Sequence, residues 1–357
     1  MTQQCCSRAA SHALMPYPDA PVEHARKGAL AELSFCVEDV FDIAGFPTSA
    51  GNASVLAASG IKTATAPAAA LLLSAGARFA GKALASELGL PFLQENIFFG
   101  TPVNGRHPQC FAGASGCASA VSCGLCDIGL GIDCCGSLCA CAAQCALFGL
   151  RTSSQSLPLE LAISLGAPFC AVGLTALRPE AFFKTAEVLL SENKAWADSE
   201  ATRAQLLIPV DILTLFGPET FSSFEPVLQT AQKIFGPARF INLSPCGLEQ
   251  MLENHRALLA QRFWRVWGGF IEKERPQLGP LVKDYAAFCF LMSSKQAQPF
   301  ESVRESVAQH IDNLLNAGGI ILAPTLPMGA LPKTASENET ALWQTKLAAS
   351  FCLNDLT

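Results

Sequence analysis

The sequence predicts an α/β protein, with helices layered on a sheet. Two observations carry this expectation. Short apolar runs alternate with longer helical patterns along the chain, as α/β layering requires. The 27 glycines and 22 prolines break the sequence too often for a pure helical bundle. Half of the 357 residues are hydrophobic and only 15% are charged, so the chain can bury a sizeable core.

The elements follow in order. Leu33 to Val37 reads as a strand, with Phe41 to Ala44 returning after Glu38-Asp39. Pro67 to Ala80 reads as an Ala/Leu-rich helix ended near Gly81. Gly116 to Gly124 is a short helix of small residues, and Ile128 to Ile132 is a buried strand. Cys139 to Leu147 is a second small-residue helix. Phe169 to Leu174 and Leu206 to Val210 are core strands. Pro179 to Ser191, Leu248 to Ile271 and Val303 to Asn316 are helices. The strand Ile320 to Ala323 then meets the stop Pro324-Thr-Leu-Pro327. No internal repeat appears, and no linker is long enough to split the chain. A loose tail is expected over residues 1–28, and a single domain over 29–357.

Composition excludes several classes. The formal charge is −6 with no basic stripe, so nucleic acid is not an expected partner. Mean hydropathy is +0.31. The most apolar stretch, Cys110 to Leu150, is interrupted by Gly113, Gly116, Gly124, Gly129, Gly131 and Gly136 and by Asp127 and Asp133, so it reads as buried core and not as a membrane span. Residues 1–28 lack the apolar core of a secretory signal. The expected location is cytoplasmic, with a plastid-associated one as the alternative. Nine of the 16 cysteines fall between Cys110 and Cys145. Their spacing is irregular and no histidine follows His107 in that segment, so they read as small buried hydrophobes. No metal and no cofactor are expected.

Residues 113–153 carry the chemistry: GASGCASAVSCGLCDIGLGIDCCGSLCACAAQCALFGLRTS. Two loops of small residues each lead into a helix. Small side chains let backbone N–H groups approach a ligand closely. A serine beside such a loop is a candidate nucleophile, with the N–H groups as an oxyanion hole. Tight core turns would look the same.

This stretch resembles the amidase signature. Phe35 to Phe46 is similar to the family's FAVKDLFDVAGF, and Gln94-Glu-Asn with Gly100 to Asn104 is similar to its GEN and YGTPVN blocks. Val172 to Pro179, Trp267-Gly, Pro276 to Pro280 and Ile321 to Thr325 resemble a plant-type subgroup of indoleacetamide hydrolases and the amidase-like domain of chloroplast import receptors. The resemblance implies an α/β/α sandwich with a mixed central sheet. It also implies hydrolysis of a carbon–nitrogen amide bond, in which a serine attacks, a second serine in a cis peptide relays the proton, and a neutral lysine is the base. Ser137 falls on the nucleophile, and Cys134, Cys135 and Gly136 fall on the oxyanion loop. The spacing from Asn104 places Ser115 on the bridging serine, whereas a gapless alignment places Gly113 there.

The chain departs from the family at its base. The family's Val-Lys-Asp is Val37-Glu38-Asp39 here. A carboxylate cannot imitate a neutral amine, and burial would raise its pKa. Cys139 and Cys141 replace a family arginine and proline. The pattern also continues past Thr357 in the family, so the domain is expected to be C-terminally truncated. Three functions compete: a serine amidase acting on a small amide, a non-catalytic amidase-like protein that binds a small molecule or a protein partner, and a cysteine-rich metal or redox protein.

Overall fold

A computed structural model describes residues 7–90, 94–113, 115–191 and 204–357. Its eight strands are β1 (Ser34–Glu38), β2 (Arg78–Ala83), β3 (Ile128–Cys134), β4 (Phe148–Arg151), β5 (Cys170–Ala176), β6 (Gln205–Pro209), β7 (Arg239–Ile241) and β8 (Gly319–Ile321). The helices are α1 (Arg8–Ser11), α2 (Ala53–Ser59), α3 (Pro67–Ser74), α4 (Gly116–Ser122), α5 (Ser137–Gln144), α6 (Pro179–Leu190), α7 (Val210–Leu213), α8 (Pro218–Phe235), α9 (Leu248–Glu274), α10 (Pro280–Ser293), α11 (Gln298–Asn316) and α12 (Glu337–Leu356).

Five strands form a mixed sheet in the order β2-β1-β3-β5-β4. β1 runs parallel to β2 and β3, and β5 runs antiparallel to β3 and β4. β7, β6 and β8 form a separate parallel sheet. β1, β3 and β5 are buried along their whole length. That is why they read as continuous apolar runs and do not alternate. The main core joins Phe35 and Val37 of β1, Leu130 of β3 and Val172 of β5 to Phe263 and Trp267 of α9.

Three expectations change. The predicted helix from Pro67 stops at Ser74, and Arg78 to Ala83 is β2. Alanine favours helix locally, but strand pairing with β1 overrides that weak preference. Phe41 to Ala44 is not a strand. Phe41 makes one isolated bridge to Ala162, and its N–H turns back to the Glu38 carbonyl. A short apolar run does not distinguish a strand from a buried loop. Finally, part of the expected loose tail is packed. Ser11, Ala13, Leu14 and Met15 are buried, Met15 N–H donates to the Lys82 carbonyl, and Leu14 bridges to Ala83. The chain there covers the outer edge of β2.

Candidate active site

The turn between β3 and α5 is the centre of the site. Cys135 and Gly136 both have positive φ, 56° and 77°. Two consecutive left-handed residues reverse the chain and place Ser137 at the first position of α5. Ser137 Oγ accepts the Cys134 N–H at 3.1 Å and donates to the Ile132 carbonyl at 3.3 Å. Asp133 fixes the same turn, its Oδ2 accepting the Cys139 N–H at 2.9 Å.

Ser115 precedes α4 and is buried. Its Oγ has no hydrogen-bond partner of ordinary geometry. The peptide bond joining it to Ala114 lies outside the described residues. Ser115 and Ser137 line one small cavity together with Ser86, Trp343 and Leu347, about 10 Å³ in volume. A second cavity of about 20 Å³ is lined by Glu38, Ser86, Cys134, Ser137 and Trp267. Each has room for about one water molecule. Sites for small organic ligands are far larger, at about 300 Å³ or more.

Glu38 ends β1 with its side chain turned toward β3. Oε2 accepts the Ile132 N–H at 2.9 Å. Gly131 makes this approach possible, since a Cβ there would lie 2.9 Å from Glu38 Oε2. Burial raises the Glu38 pKa to about 7; the Ile132 N–H opposes this, and the charges of Asp133 and Asp39 add to it. A buried lysine is nearby, on the wrong face. Lys82 pairs in register with Val37, and Ala83 with Glu38. Adjacent strand residues point to opposite faces, so Lys82 is turned away from Ser137. It binds Asp39 Oδ1 at 2.7 Å, the Pro47 carbonyl at 2.9 Å and Thr48 Oγ1 at 2.9 Å. Burial lowers its pKa, and the Asp39 charge opposes the shift. Asp39 is further held by Tyr17, whose hydroxyl donates to Oδ2 at 2.7 Å.

The predicted oxyanion loop is largely engaged. The Cys134 N–H bonds Ser137, and the Cys135 N–H donates to Asp355 Oδ1 at 3.2 Å. Asp355 comes from α12, which packs directly on the loop. A Cβ at Gly136 would lie 2.2 Å from the Phe351 ring. Arg151 secures the contact. It pairs with Asp355 Oδ1 at 3.0 Å and with Asp133 Oδ1 at 3.5 Å. It also donates to the carbonyls of Asp133, Pro168 and Asn354 at 2.8, 2.7 and 3.0 Å. His255 of α9 completes the cluster, with Nε2 2.8 Å from Asp355 Oδ2. Burial pushes the Cys135 thiol pKa well up, and the Asp355 charge adds to that.

Two other family-like blocks act as staples around the site. Asn104 Nδ2 donates to the carbonyls of Phe111 and Gln144, at 3.2 and 2.9 Å. Asn96 Nδ2 donates to the Gly51 carbonyl at 2.8 Å, and its Oδ1 accepts the N–H groups of Phe98 and Phe99. Both are buried amides whose hydrogen bonds hold loops against the sheet.

Of the residues the resemblance singles out, Ser115 and Ser137 line one cavity and Glu38, Cys134 and Ser137 line the other. Sequence reading missed Arg151, His255 and Asp355. Arg151 lies within the stretch that resembles the family signature, whereas no local motif marks His255 or Asp355, and the three converge only in the tertiary fold.

A mixed sheet flanked by helices, with a glycine-rich turn presenting a serine, defines an amidase-type α/β scaffold. The amidase family model matches residues 4–206, and the chain belongs to that family. It is 26% identical to outer envelope protein 64, chloroplastic, of Arabidopsis thaliana, over 92% of this chain and 59% of that protein. It is 25% identical to amidase 1 of the same plant, over 84% of this chain and 77% of that protein. A solved structure described as the crystal structure of amidase superposes with a TM-score of 0.78 at 24% identity, covering 92% of this chain and 76% of that one. The chain thus spans less than two thirds of the envelope protein's length and about three quarters of the amidases it matches. No helix among the described residues is long and apolar enough to cross a membrane.

Proposed function

We propose that this chain is an amidase-family protein that keeps the hydrolase scaffold and Ser137 but is catalytically weak or silent. One observation carries the reading. Glu38, at the position of the family lysine, bonds a backbone N–H, and among the described residues the neighbouring lysine, Lys82, is turned to the opposite face. A serine hydroxyl is a weak nucleophile until a base takes its proton. In the roles the family implies, Ser137 would attack the amide carbonyl, Ser115 would pass its proton on, and Glu38 would have to receive it. Glu38 Oε2 is occupied by the Ile132 N–H and, when ionised, the carboxylate adds negative charge near a developing oxyanion. The oxyanion loop is also engaged by Asp355 and Ser137.

A second reading follows from the similarity to the envelope protein along 92% of this chain. The scaffold then serves as a protein-binding module, with a plastid-associated rather than a cytoplasmic location. Hydrolysis of a panel of primary amides and anilides tests the first reading. Unmodified protein should turn over well below about 1 per second. Faster turnover that Ser137→Ala abolishes would sink it. Activity gained by Glu38→Lys would show that the scaffold is competent and the base is what it lacks.

A further inference from the structure

Cys135, His255 and Asp355 form a buried cluster beside the oxyanion loop. Their ligand atoms all lie within 4.8 Å of one another. All three residues are buried. His255 Nε2 lies 3.4 Å from Cys135 Sγ and 2.8 Å from Asp355 Oδ2. A single ring nitrogen therefore faces both a thiol and a carboxylate. It carries at most one proton, so pairwise hydrogen bonding leaves one contact poorly served. We infer that Cys135, His255 and Asp355 bind a divalent zinc ion that ties the oxyanion loop to α9 and α12.

The geometry is close to what zinc requires. Metal–sulfur, metal–nitrogen and metal–oxygen bonds of about 2.3, 2.05 and 2.1 Å at tetrahedral angles place sulfur and nitrogen about 3.6 Å apart, and nitrogen and oxygen about 3.4 Å apart. Relative to those values the imidazole–carboxylate contact must widen by about half an ångström and the sulfur–nitrogen contact by about 0.2 Å, and all three ligand atoms already lie within 4.8 Å of one another. The donor set of thiolate, imidazole and carboxylate suits zinc better than magnesium or calcium, which prefer oxygen. The carboxylate is already oriented. Its Oδ1 is held by Arg151 at 3.0 Å and by the Cys135 N–H at 3.2 Å, leaving Oδ2 toward the cluster. Such outer bonds are what fix the direction of a ligating carboxylate. Cys135 adopts a φ of 56°, unusual for a residue with a side chain, and this turns its thiol into the cluster.

Charge agrees. Asp133 and Asp355 face a single guanidinium, that of Arg151. A zinc ion with a Cys135 thiolate makes the assembly neutral, the thiol proton being released to solvent on binding. A water molecule completes the tetrahedron, because Cys134, whose Sγ lies 3.9 Å from Cys135 Sγ, could bind only as a second thiolate and would leave the assembly negative. The ion would lock the Cys135 N–H onto Asp355, so zinc here stabilises a closed oxyanion loop and takes no part in bond cleavage.

The test is metal analysis of protein expressed in zinc-supplemented medium, and then with cobalt in its place. Unmodified protein should hold about one zinc per chain. The cobalt form should show a thiolate-to-metal charge-transfer band and intense tetrahedral visible bands. Cys135→Ser and His255→Gln should each lower the metal content at least about tenfold. Cys110→Ser, which alters a partly exposed thiol 25 residues before Cys135, should leave it unchanged. Should the first two variants not fold, the cobalt spectrum of the unmodified protein decides alone. A folded protein that purifies without zinc, a cobalt spectrum lacking the thiolate band, or zinc retained by Cys135→Ser and His255→Gln would each overturn the inference. None of these readouts depends on amide hydrolysis.

Discussion

Glu38 and Ile132 are joined across two strands, the carboxylate Oε2 accepting the Ile132 N–H at 2.9 Å. The bond makes Glu38 part of the sheet's own hydrogen bonding. It also makes the protein's stability depend on pH. The pKa of Glu38 rises from 4.5 to about 7 on folding. Between those values the folded state holds a proton that the unfolded state has lost. Stability from this group is therefore complete at low pH and is lost as pH rises toward and through 7, by up to about 3 kcal/mol. Thermal unfolding from pH 5 to 8 should show this decline. Glu38→Gln keeps an acceptor for Ile132 and should flatten it. An equally steep decline in the variant would assign the slope to another group.

Gly136 is required twice over. Its φ is 77°, and a Cβ would enter the Phe351 ring. Gly136→Ala should cost about 2–4 kcal/mol from backbone strain and overpacking together. Pairing it with Phe351→Ala should recover the steric part, so urea unfolding of the two single variants and the double should reveal coupling of at least about 0.5 kcal/mol. Additive losses would mean that α12 does not pack on the loop as described.

Arg151 stands between two buried carboxylates and four carbonyls, one of them Asn354 near the end of α12. Arg151→Met leaves Asp133 and Asp355 without their counter-charge and should destabilise the fold by about 3–5 kcal/mol. Arg151→Lys should recover only part, because an ammonium cannot reproduce the planar fork. Urea denaturation measures both, and a loss below about 1 kcal/mol for Arg151→Met would contradict the role of this cluster.

Among the described cysteines only Cys110, Cys139 and Cys246 are partly accessible. Cys139 is only partly covered by surface area, yet burial and Asp133 push its thiol pKa up. The thiolate is the reacting form, so Cys139 should react slowly. A thiol reagent should label few groups in native protein and approach all 16 after unfolding without reductant. Extensive rapid labelling of the native protein would contradict the buried-thiol reading.

The sequence determined the apolar strands β1, β3 and β5 and the small-residue helices α4 and α5, because burial on both faces and close packing leave their signature in local composition. The family resemblance assigned Ser115, Ser137 and Glu38 to one site, and in the fold Ser137 shares one cavity with Ser115 and another with Glu38. Local composition misassigned Arg78 to Ala83, where pairing with β1 outweighs the helical preference of alanine. The tertiary structure alone decided that Lys82 faces away from Ser137, because strand register assigns its side chain to the face opposite Glu38. It alone brought Cys135, Arg151, His255 and Asp355 together, from separate elements spanning more than half the chain. Each residue type is unremarkable in its own segment. Their charges and ligand atoms acquire meaning only when folding removes them from water and leaves them to satisfy one another.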